Sequence, residues 1–290
     1  METISNDRLL AKLLSHRFRG FSPIENSASA AAGGFVSPVN RFEIDTRVSK
    51  DGTIYVYHDP QILLHNARTF ICEESSHALA RFRYPNGESL MTLDQLLGMF
   101  KEFVTDEKTL YIDIKDYGFE AAHLEAVRSF DLEKQVVFVS WIPQTLLQLH
   151  RLGTTVPLIL SHINLFKYGV GGRFLVHCLK NRMFHFARQV VVGMHRVESD
   201  PGPWAVGYRH NTVCNTLPRG LVSVLAGSGG GICIACRFFS PLLMEYCNEM
   251  GLTLAVYSVG DTAGFLKYAG IPGVHRVFCD NAPLVLEEIV

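Results

Sequence analysis

The chain has 290 residues, of which 48% are hydrophobic and 19% are charged, and its formal net charge is -1. This length is sufficient to bury the core of one α/β barrel or of two smaller domains. The near-neutral balance gives no electrostatic footprint for nucleic acid, so a general DNA-binding or RNA-binding protein is not expected.

The first twelve residues mix charged side chains with isolated leucines and lack the uninterrupted apolar core of a signal peptide. No apolar run approaches the roughly 18 residues of a membrane-spanning helix. Seven cysteines, an odd number in a long chain, favour reduced thiols over a disulfide framework. These features predict a soluble, cytoplasmic protein without a membrane span.

The first predicted strand, residues 13–16, ends in His16 and is followed by Arg17. In the second, residues 41–48, apolar side chains alternate with polar ones, which is the period-two pattern of a strand. Because alternate side chains point to the same face, Glu43 and Asp45 should lie together.

A third strand is predicted over residues 53–58, and it ends in His58. It follows the second strand through Lys50-Asp51-Gly52, which is a strong turn signal and is too short to contain a helix. This connection departs from an ideal alternation of strands and helices. The third strand is therefore antiparallel or locally offset, or it follows a tight turn after the second strand has passed the rim.

Further along the chain, residues 92–103 and 119–130 have the spacing of apolar residues that is typical of helices. The strand between them, residues 109–115, places Asp113 and Lys115 on one face and apolar residues on the other. Two strands therefore present acidic side chains in the same direction.

The remaining predicted strands are residues 135–141, 156–161, 252–259 and 274–280. Eight strands that alternate with helices favour a closed (β/α)8 barrel, an α/β fold, over an open sheet. Residues 163–231, after the sixth predicted strand, fit the alternation poorly and are interpreted as an insertion or cap. The chain is thus predicted to be one domain, 1–290, that contains this elaborated region.

In such a barrel the carboxyl ends of the strands surround one cavity. Three carboxylates held close together repel one another, so a cation or basic neighbours must share their charge. Oxygen ligands of this kind suit Mg²⁺ or Ca²⁺. The alternative is that Glu43 and Asp45 lie on the solvated face of an edge strand and bind nothing.

Cys233 and Cys236 have the one paired cysteine spacing in the chain. A zinc site would need a second pair of cysteines or suitably spaced histidines, and a redox motif rests on more than a single short pattern. These cysteines lie in an apolar run, so burial as small core residues is favoured.

Taken together, these segments resemble the glycerophosphodiester phosphodiesterase family, and the resemblance spans nearly the whole chain. Its early blocks keep the family's order and spacing and are Ser15-His16-Arg17, Ile24-Glu25-Asn26-Ser27, Phe42-Glu43-Ile44-Asp45, Lys50-Asp51-Gly52 and Tyr57-His58-Asp59. Looser later blocks are Met91-Thr92-Leu93-Asp94, Asp113-Ile114-Lys115, Ser140-Trp141, Tyr257-Ser258-Val259 and Cys279-Asp280-Asn281-Ala282-Pro283. The family's fold is a (β/α)8 barrel, and its chemistry is metal-assisted cleavage of phosphodiesters.

The resemblance implies a role for seven residues. Those that would bind one divalent cation, Mg²⁺ or Ca²⁺, are Glu43, Asp45 and Asp113. It further implies that His16 and His58 are the acid and base pair, with either residue in either role. Arg17 and Lys115 would hold the phosphoryl oxygens of a small-molecule phosphodiester.

Three features depart from the family pattern. Phe18 replaces a glycine after His-Arg, so the pocket is expected to differ in shape, and Asp113 replaces the more common glutamate, which shortens the reach to a metal. The Asp-x-Lys element is also similar to sphingomyelinase D phospholipases, although Lys50-Asp51-Gly52 and the closing block fit the phosphodiesterases better. The elaborated region suggests a larger or more polar substrate, such as a sugar phosphodiester of the agrocinopine type.

The predicted activity is hydrolysis of a small glycerol or sugar phosphodiester to an alcohol and a phosphomonoester. One alternative is a lyase that stops at a cyclic phosphate. Another is a catalytically silent barrel that binds a phosphorylated ligand or a partner protein. The sequence leaves the oligomeric state open, and a homo-oligomer is compatible with it.

Overall fold

The computed structural model describes residues 5–64, 66–161, 163–165, 176, 179–180, 212–214 and 217–289. In chain order its strands are β1 (Leu13–His16), β2 (Arg41–Val48), β3 (Ile54–Val56), β4 (Gln61–Leu64), β5 (Ala67–Phe70), β6 (Thr109–Ile114), β7 (Val136–Ser140), β8 (Leu158–Ser161), β9 (Ile163–Leu165), β10 (Thr212–Cys214), β11 (Gly231–Ala235), β12 (Thr253–Val259) and β13 (Arg276–Cys279). Its α-helices are α1 (Asn6–Lys12), α2 (Ala28–Val36), α3 (Ser76–Leu79), α4 (Leu93–Phe103), α5 (Glu120–Ser129), α6 (Pro143–Arg151), α7 (Arg219–Gly227), α8 (Pro241–Glu249), α9 (Thr262–Ala269) and α10 (Ala282–Ile289).

Eight of these strands form a closed parallel barrel in the order β1, β13, β12, β11, β8, β7, β6 and β2. The barrel closes because β1 also pairs with β2, with Ser15 opposite Phe42 and His16 opposite Glu43. Helices cover its outer surface. The predicted (β/α)8 fold is confirmed.

The strands separate two apolar layers because their side chains alternate in direction. Ile112 and Ile114 of β6 belong to the large outer core between the strands and the helices. Tyr111, on the opposite face of the same strand, belongs to a smaller core inside the barrel. Cys233 lies in this inner core, and burial raises the pKa of its thiol well above the ordinary value.

The third predicted strand is not part of the barrel wall. Its structured part, β3, pairs antiparallel with β2, with Val56 opposite Thr46 and Ile54 opposite Val48. The tight connection between β2 and β3 contains Gly52, whose φ of 88° is in the left-handed region that favours glycine. Of the alternatives that the turn signal left open, the structure has the antiparallel one, and the assignment of residues 53–58 to the barrel was wrong.

The eighth strand of the barrel is instead β11, which lies between β8 and β12. The sequence did not predict this strand. A glycine-rich run precedes it and was interpreted as part of the insertion. The neighbouring backbones approach so closely here that a Cβ on Gly230 would lie 1.8 Å from the Leu158 carbonyl oxygen. A Cβ on Gly231 would lie 2.0 Å from the Thr253 carbonyl oxygen. These two glycines mark close strand packing at the base of the barrel.

The two predicted helices on either side of β6 are confirmed to within one residue at each end. Helix α4 begins with a capping box, in which Thr92 accepts a hydrogen bond from the Gln95 backbone and the Gln95 side chain accepts one from the Thr92 backbone. Its buried face carries Leu93, Leu96, Leu97 and Phe100. This face belongs to the outer core, together with Ile44 of β2 and Ile112 of β6.

Most of the predicted insertion, 163–231, lies outside the described residues. Of its described parts, β9 and β10 pair in parallel, and α7 buries Leu221 and Leu225 in the outer core. The division of the chain into one domain with an insertion stays a prediction. Within the described parts of the chain, every helix is too short or too polar to cross a membrane.

Candidate active site

Three buried carboxylates meet inside the barrel on the neighbouring strands β2 and β6. Glu43 and Asp45 lie on the same face of β2, and Asp113 of β6 is directly opposite Asp45 in the parallel pairing. One oxygen from each carboxylate lies within 4.8 Å of the others. The predicted cluster therefore forms, and Glu43 and Asp45 do not lie on a solvated edge strand.

Two cations hold this cluster together. The Lys115 Nζ atom lies 2.8 Å from Asp45 Oδ1 and also contacts Asp113 Oδ2. The Arg17 Nε atom lies 2.9 Å from Asp45 Oδ2, and its Nη1 atom lies 3.2 Å from Glu25 Oε1. The two residues predicted to hold phosphoryl oxygens thus contact carboxylates in this structure.

The carboxylates do not share their negative charge equally. Burial raises the pKa of Asp45, but Arg17 and Lys115 outweigh burial and hold this pKa well below its ordinary value. Burial raises the pKa of Glu43, and the neighbouring Asp45 raises it further. Burial also raises the pKa of Asp113, which Lys115 offsets only in part. The cluster therefore has one firmly ionised carboxylate and two that resist ionisation.

The donor set fits a divalent cation. Asp113 Oδ1 is buried and accepts no hydrogen bond from the described residues, which is unfavourable for a carboxylate oxygen unless a cation contacts it. All three side chains offer oxygen ligands, which Mg²⁺ and Ca²⁺ prefer. Glu43, Asp45 and Asp113 are consequently the residues that would hold such an ion.

His16, at the end of β1, lies beside the cluster. Its Nε2 atom is 3.7 Å from Glu43 Oε2, and its Nδ1 atom is 2.6 Å from Asp280 Oδ1. Burial lowers the pKa of His16, and the hydrogen bond to Asp280 offsets this only in part. A neutral ring that donates its Nδ1 proton to Asp280 carries no proton on Nε2, the atom that faces the cluster.

A buried ion pair between Arg47 and Asp116 holds the segment that carries His58. Arg47 Nη1 lies 2.8 Å from Asp116 Oδ1, and Arg47 Nε donates a hydrogen bond of 3.0 Å to the His58 carbonyl oxygen. The His58 Nδ1 atom lies 2.7 Å from Asp59 Oδ1. The Tyr57 backbone nitrogen donates a hydrogen bond of 3.0 Å to the Asp45 carbonyl oxygen, which places His58 beside the cluster. Both His58 and His16 lower the pKa of Asp45.

The turn after His16 has an unusual backbone that explains the bulky residue at position 18. Arg17 and Phe18 have φ values of 58° and 54°, in the left-handed region. Phe18 is fully buried, and its ring lies 5.2 Å from the rings of both Phe35 and Phe42. A Cβ on Gly34 would lie 2.5 Å from the Phe18 ring, so this glycine makes room for the ring. The side chain points into the outer core and does not fill the pocket.

Several polar residues of the site had no predicted role. Asp280 bonds to His16 and also accepts a hydrogen bond of 2.8 Å from Arg19 Nη1. Asn26 donates a hydrogen bond of 3.2 Å to Asp45 Oδ2, and Glu25 contacts both Arg17 and Arg19. Asp280, Glu25 and Asn26 stand in segments that had been singled out for their resemblance, which was the available signal.

The fold and the position of the site define the chain as a (β/α)8 barrel with its polar cluster at the carboxyl ends of the strands, where enzymes of this fold have their active sites. Its sequence matches no family model and no curated protein.

Solved structures with the same fold include glycerophosphodiester phosphodiesterases. One from Parabacteroides distasonis is 17% identical, with 96% of each chain covered and a TM-score of 0.63. One from Thermotoga maritima is 17% identical, with 96% of this chain and 98% of that chain covered and a TM-score of 0.62. A phosphodiesterase from Oleispira antarctica, solved with the product sn-glycerol-3-phosphate, is 15% identical, with 99% of each chain covered and a TM-score of 0.66.

Proposed function

We propose that the protein is a divalent-metal-dependent phosphodiesterase. It cleaves a small glycerol or sugar phosphodiester to an alcohol and a phosphomonoester. The observation that carries this proposal is the position of two histidines, each with its Nδ1 atom on a carboxylate, beside three buried carboxylates that share two cations. This set of groups can bind a metal, attract a phosphodiester and move two protons.

The charges of the site favour an anionic substrate once a divalent cation is bound. When all three carboxylates are ionised, as they would be as ligands of a metal ion, they and the two cations Arg17 and Lys115 carry a formal net charge of one negative unit. A divalent ion reverses this to one positive unit, which complements the single negative charge of a phosphodiester. With such an ion on the carboxylate oxygens, Arg17 and Lys115 would be available to hold the phosphoryl oxygens of the substrate.

His16 is proposed as the base of the first step. Because burial lowers its pKa, its ring is neutral at physiological pH, and the hydrogen bond to Asp280 leaves Nε2 as the proton acceptor. Nε2 takes the proton from the attacking hydroxyl group as the new oxygen–phosphorus bond forms. That hydroxyl belongs either to water or to the carbon next to the ester in the substrate.

His58 is proposed as the acid. It gives a proton to the leaving alkoxide as the old phosphorus–oxygen bond breaks, and the Asp59 carboxylate, 2.7 Å from its Nδ1 atom, orients the ring. If a substrate hydroxyl attacks, the product is a cyclic phosphate. Water then opens this ring with the two histidines in reversed roles. A bound divalent cation would stabilise the negative charge that builds up on the phosphoryl oxygens.

The solved neighbours support this proposal because they share the fold across nearly the whole chain, and the Oleispira antarctica phosphodiesterase was solved with a glycerol phosphomonoester as product. The sugar-phosphodiester substrate rests on residues 163–231, most of which lie outside the described residues. Cytoplasmic location stays a prediction from the sequence, which is also compatible with a homo-oligomer.

The test is hydrolysis of a substrate panel by the full chain with Mg²⁺, with Ca²⁺ and with EDTA. The panel contains glycerophosphocholine, glycerophosphoethanolamine, bis(p-nitrophenyl) phosphate and a sugar phosphodiester. The proposal predicts turnover of at least one member that EDTA abolishes. Turnover that is insensitive to EDTA contradicts it. A product that remains a cyclic phosphate indicates a lyase, and binding without any turnover indicates a silent barrel.

A further inference from the structure

A second charged cluster lies at the opposite end of the barrel from the carboxylates. Arg41 is the first residue of β2 and Arg276 is the first residue of β13, and both strands pair directly with β1. Arg41 lies two residues before Glu43, so the two side chains are on the same face of β2. Arg276 likewise shares a face of β13 with Phe278, which lies in the inner core. Both arginines therefore project toward the barrel axis at its amino-terminal end; we call them the floor pair.

Neither guanidinium of the floor pair forms an ion pair with a carboxylate in the described part of the chain. Both side chains are partly buried. Arg276 donates one hydrogen bond, of 2.7 Å, from Nη1 to the His275 carbonyl oxygen, whereas its buried Nε atom has no hydrogen-bond partner among the described residues. The groups that raise the pKa of Arg41 are Tyr111 and Glu107, and the Glu107 carboxylate already accepts a hydrogen bond of 3.0 Å from Asn40.

Positive charge converges on this end of the barrel. Burial lowers the pKa of Arg41, and Arg276 lowers it further. Burial also lowers the pKa of Lys12, which precedes β1, and Arg8 and Arg276 add to this effect. Lys12 Nζ donates hydrogen bonds of 2.8 Å and 3.0 Å to the carbonyl oxygens of Ala269 and Ile271. Lys12 thus adds positive charge near the floor pair, although its own N–H groups already donate to backbone carbonyl oxygens.

Such an arrangement is unfavourable by itself. Arginine is seldom buried without a carboxylate or another acceptor, because desolvation of an unpaired charge is costly. Two partly buried guanidinium groups that repel each other add to this cost. A bound anion removes both penalties.

We propose that the floor pair binds a small tetrahedral oxyanion, such as inorganic phosphate or sulfate, at the amino-terminal end of the barrel. Guanidinium groups present parallel N–H donors that match pairs of oxyanion oxygens. Adjacent strands lie about 4.8 Å apart, so β2 and β13, with β1 between them, are about 10 Å apart. Two arginine side chains can therefore reach one small anion from opposite sides. A tetrahedral anion offers each arginine a separate pair of oxygens, whereas a carboxylate has only two oxygens in total.

This site is separate from the proposed active site. Arg41 precedes Glu43, the nearest carboxylate of the cluster, by two residues on the same strand, which corresponds to about 7 Å along the strand at about 3.3 Å per residue. Neither arginine of the floor pair forms an ion pair with Glu43, Asp45 or Asp113, whose cationic partners are Arg17 and Lys115. The inference is therefore independent of the proposed phosphodiesterase activity.

The test is thermal unfolding of the full chain in EDTA, titrated with sodium phosphate and, separately, with sodium chloride at matched ionic strength. Arg41→Gln and Arg276→Gln are compared with the wild type and with Arg151→Gln, a control at an exposed arginine on α6. Phosphate is expected to raise the melting temperature of the wild type and the control more than chloride does. The apparent dissociation constant for phosphate should rise about tenfold or more in the floor variants, which lose charge-assisted hydrogen bonds.

Without phosphate, the floor variants should be at least as stable as the wild type, because each substitution removes a repulsive charge. If a glutamine variant does not fold, Arg41→Lys tests the same point, since lysine keeps the charge but lacks the paired donors and should bind phosphate more weakly. Crystals soaked in selenate should show an anomalous peak between the two arginines. Equal phosphate responses in all variants, or selenate peaks only elsewhere, would overturn the proposal.

Discussion

The His16 Nδ1 atom lies 2.6 Å from the Asp280 Oδ1 atom, although 264 positions separate the two residues in the chain. They meet because β1 and β13 are neighbours in the closed barrel. The carboxylate fixes which ring nitrogen carries the proton and directs the other nitrogen toward the acidic cluster. Closure of the barrel thus sets the protonation geometry of the proposed base.

Asp280→Asn should therefore reduce turnover by about 100-fold or more, since the charge that stabilises the protonated ring is lost. The carboxylate of Asp280 raises the pKa of His16, so its removal should lower that pKa. The acid limb of the pH profile of kcat/KM should then move to lower pH. The profile is measured between about pH 4 and 9, around the ordinary histidine pKa.

Asp261→Asn provides the control for this experiment, because Asp261 caps α9 and does not contact His16. It should leave the pH profile in place. An unchanged profile in Asp280→Asn, even with reduced turnover, would mean that Asp280 has only a structural role.

The buried ion pair between Arg47 and Asp116 should be important for stability. Arg47→Met removes the guanidinium from a buried carboxylate and should lower the free energy of unfolding by about 3–5 kcal/mol. It also removes the hydrogen bond to the His58 carbonyl oxygen, so turnover should fall even where the variant remains folded. Urea unfolding and the substrate assay measure the two effects.

The control for this change is Arg128→Gln, at a more exposed arginine whose Nε atom lies 3.0 Å from Glu133 Oε1. Surface ion pairs contribute about 0–1 kcal/mol, so this variant should unfold like the wild type. Equal losses of stability in Arg47→Met and Arg128→Gln would contradict the importance of the buried pair.

Substitution by alanine should change the free energy of unfolding differently at Gly34 and at Gly220. A Cβ on Gly34 would lie 2.5 Å from the Phe18 ring, so Gly34→Ala should lower the free energy of unfolding by about 1–3 kcal/mol. Gly220 is in α7 with open space around it, and Gly220→Ala should be neutral or stabilise by up to about 1 kcal/mol. Denaturant titration of both variants decides the point. A loss of stability confined to Gly220→Ala would show that the explanation of Phe18 packing is wrong.

His123 should make the protein less stable in mild acid. It is fully buried between Thr46 Oγ1, 2.9 Å away, and the Phe119 carbonyl oxygen, 2.8 Å away. Burial lowers its pKa from 6.5 to about 4. The unfolded chain thus binds a proton that the folded chain does not. The free energy of unfolding should be fully retained above about pH 6.5 and fall by about 3 kcal/mol as the pH drops to about 4.

His123→Gln should flatten this dependence, although it lowers stability at neutral pH because the packing changes. His150→Gln, at an exposed histidine of α6, should keep the wild-type dependence. The measurement is urea unfolding at a series of pH values. Parallel curves for the wild type and His123→Gln would exclude His123 as the cause.

Asp113→Asn should weaken binding of Mg²⁺ and Ca²⁺ by at least about tenfold, because one of the three ligands loses its charge. Asp131→Asn is the matched control, since the Asp131 side chain is 90% exposed. Melting temperature as a function of metal concentration reports binding without any need for activity. Equal metal responses in the two variants would place the ion elsewhere.

The sequence predicted the acidic cluster because alternation along residues 41–48 and 109–115 is a local property. The same local signal predicted α4, with its capping residue Thr92. It failed at β11, since the glycines that permit close packing of strands also resemble a loop. Such a local signal does not predict contacts between residues that are far apart in the chain. Asp280 and the floor pair acquire their surroundings only when the barrel closes, and no spacing along the chain encodes those contacts.

The proposed function is cleavage of a phosphodiester by His16 and the acidic cluster. Its most direct test is a phosphorus NMR time course of glycerophosphocholine, and of the best substrate of the panel, with divalent metal and either the wild type or His16→Ala. We expect the diester signal to give way to a phosphomonoester signal with the wild type and to persist with His16→Ala. Equal conversion by both proteins would contradict the proposed function.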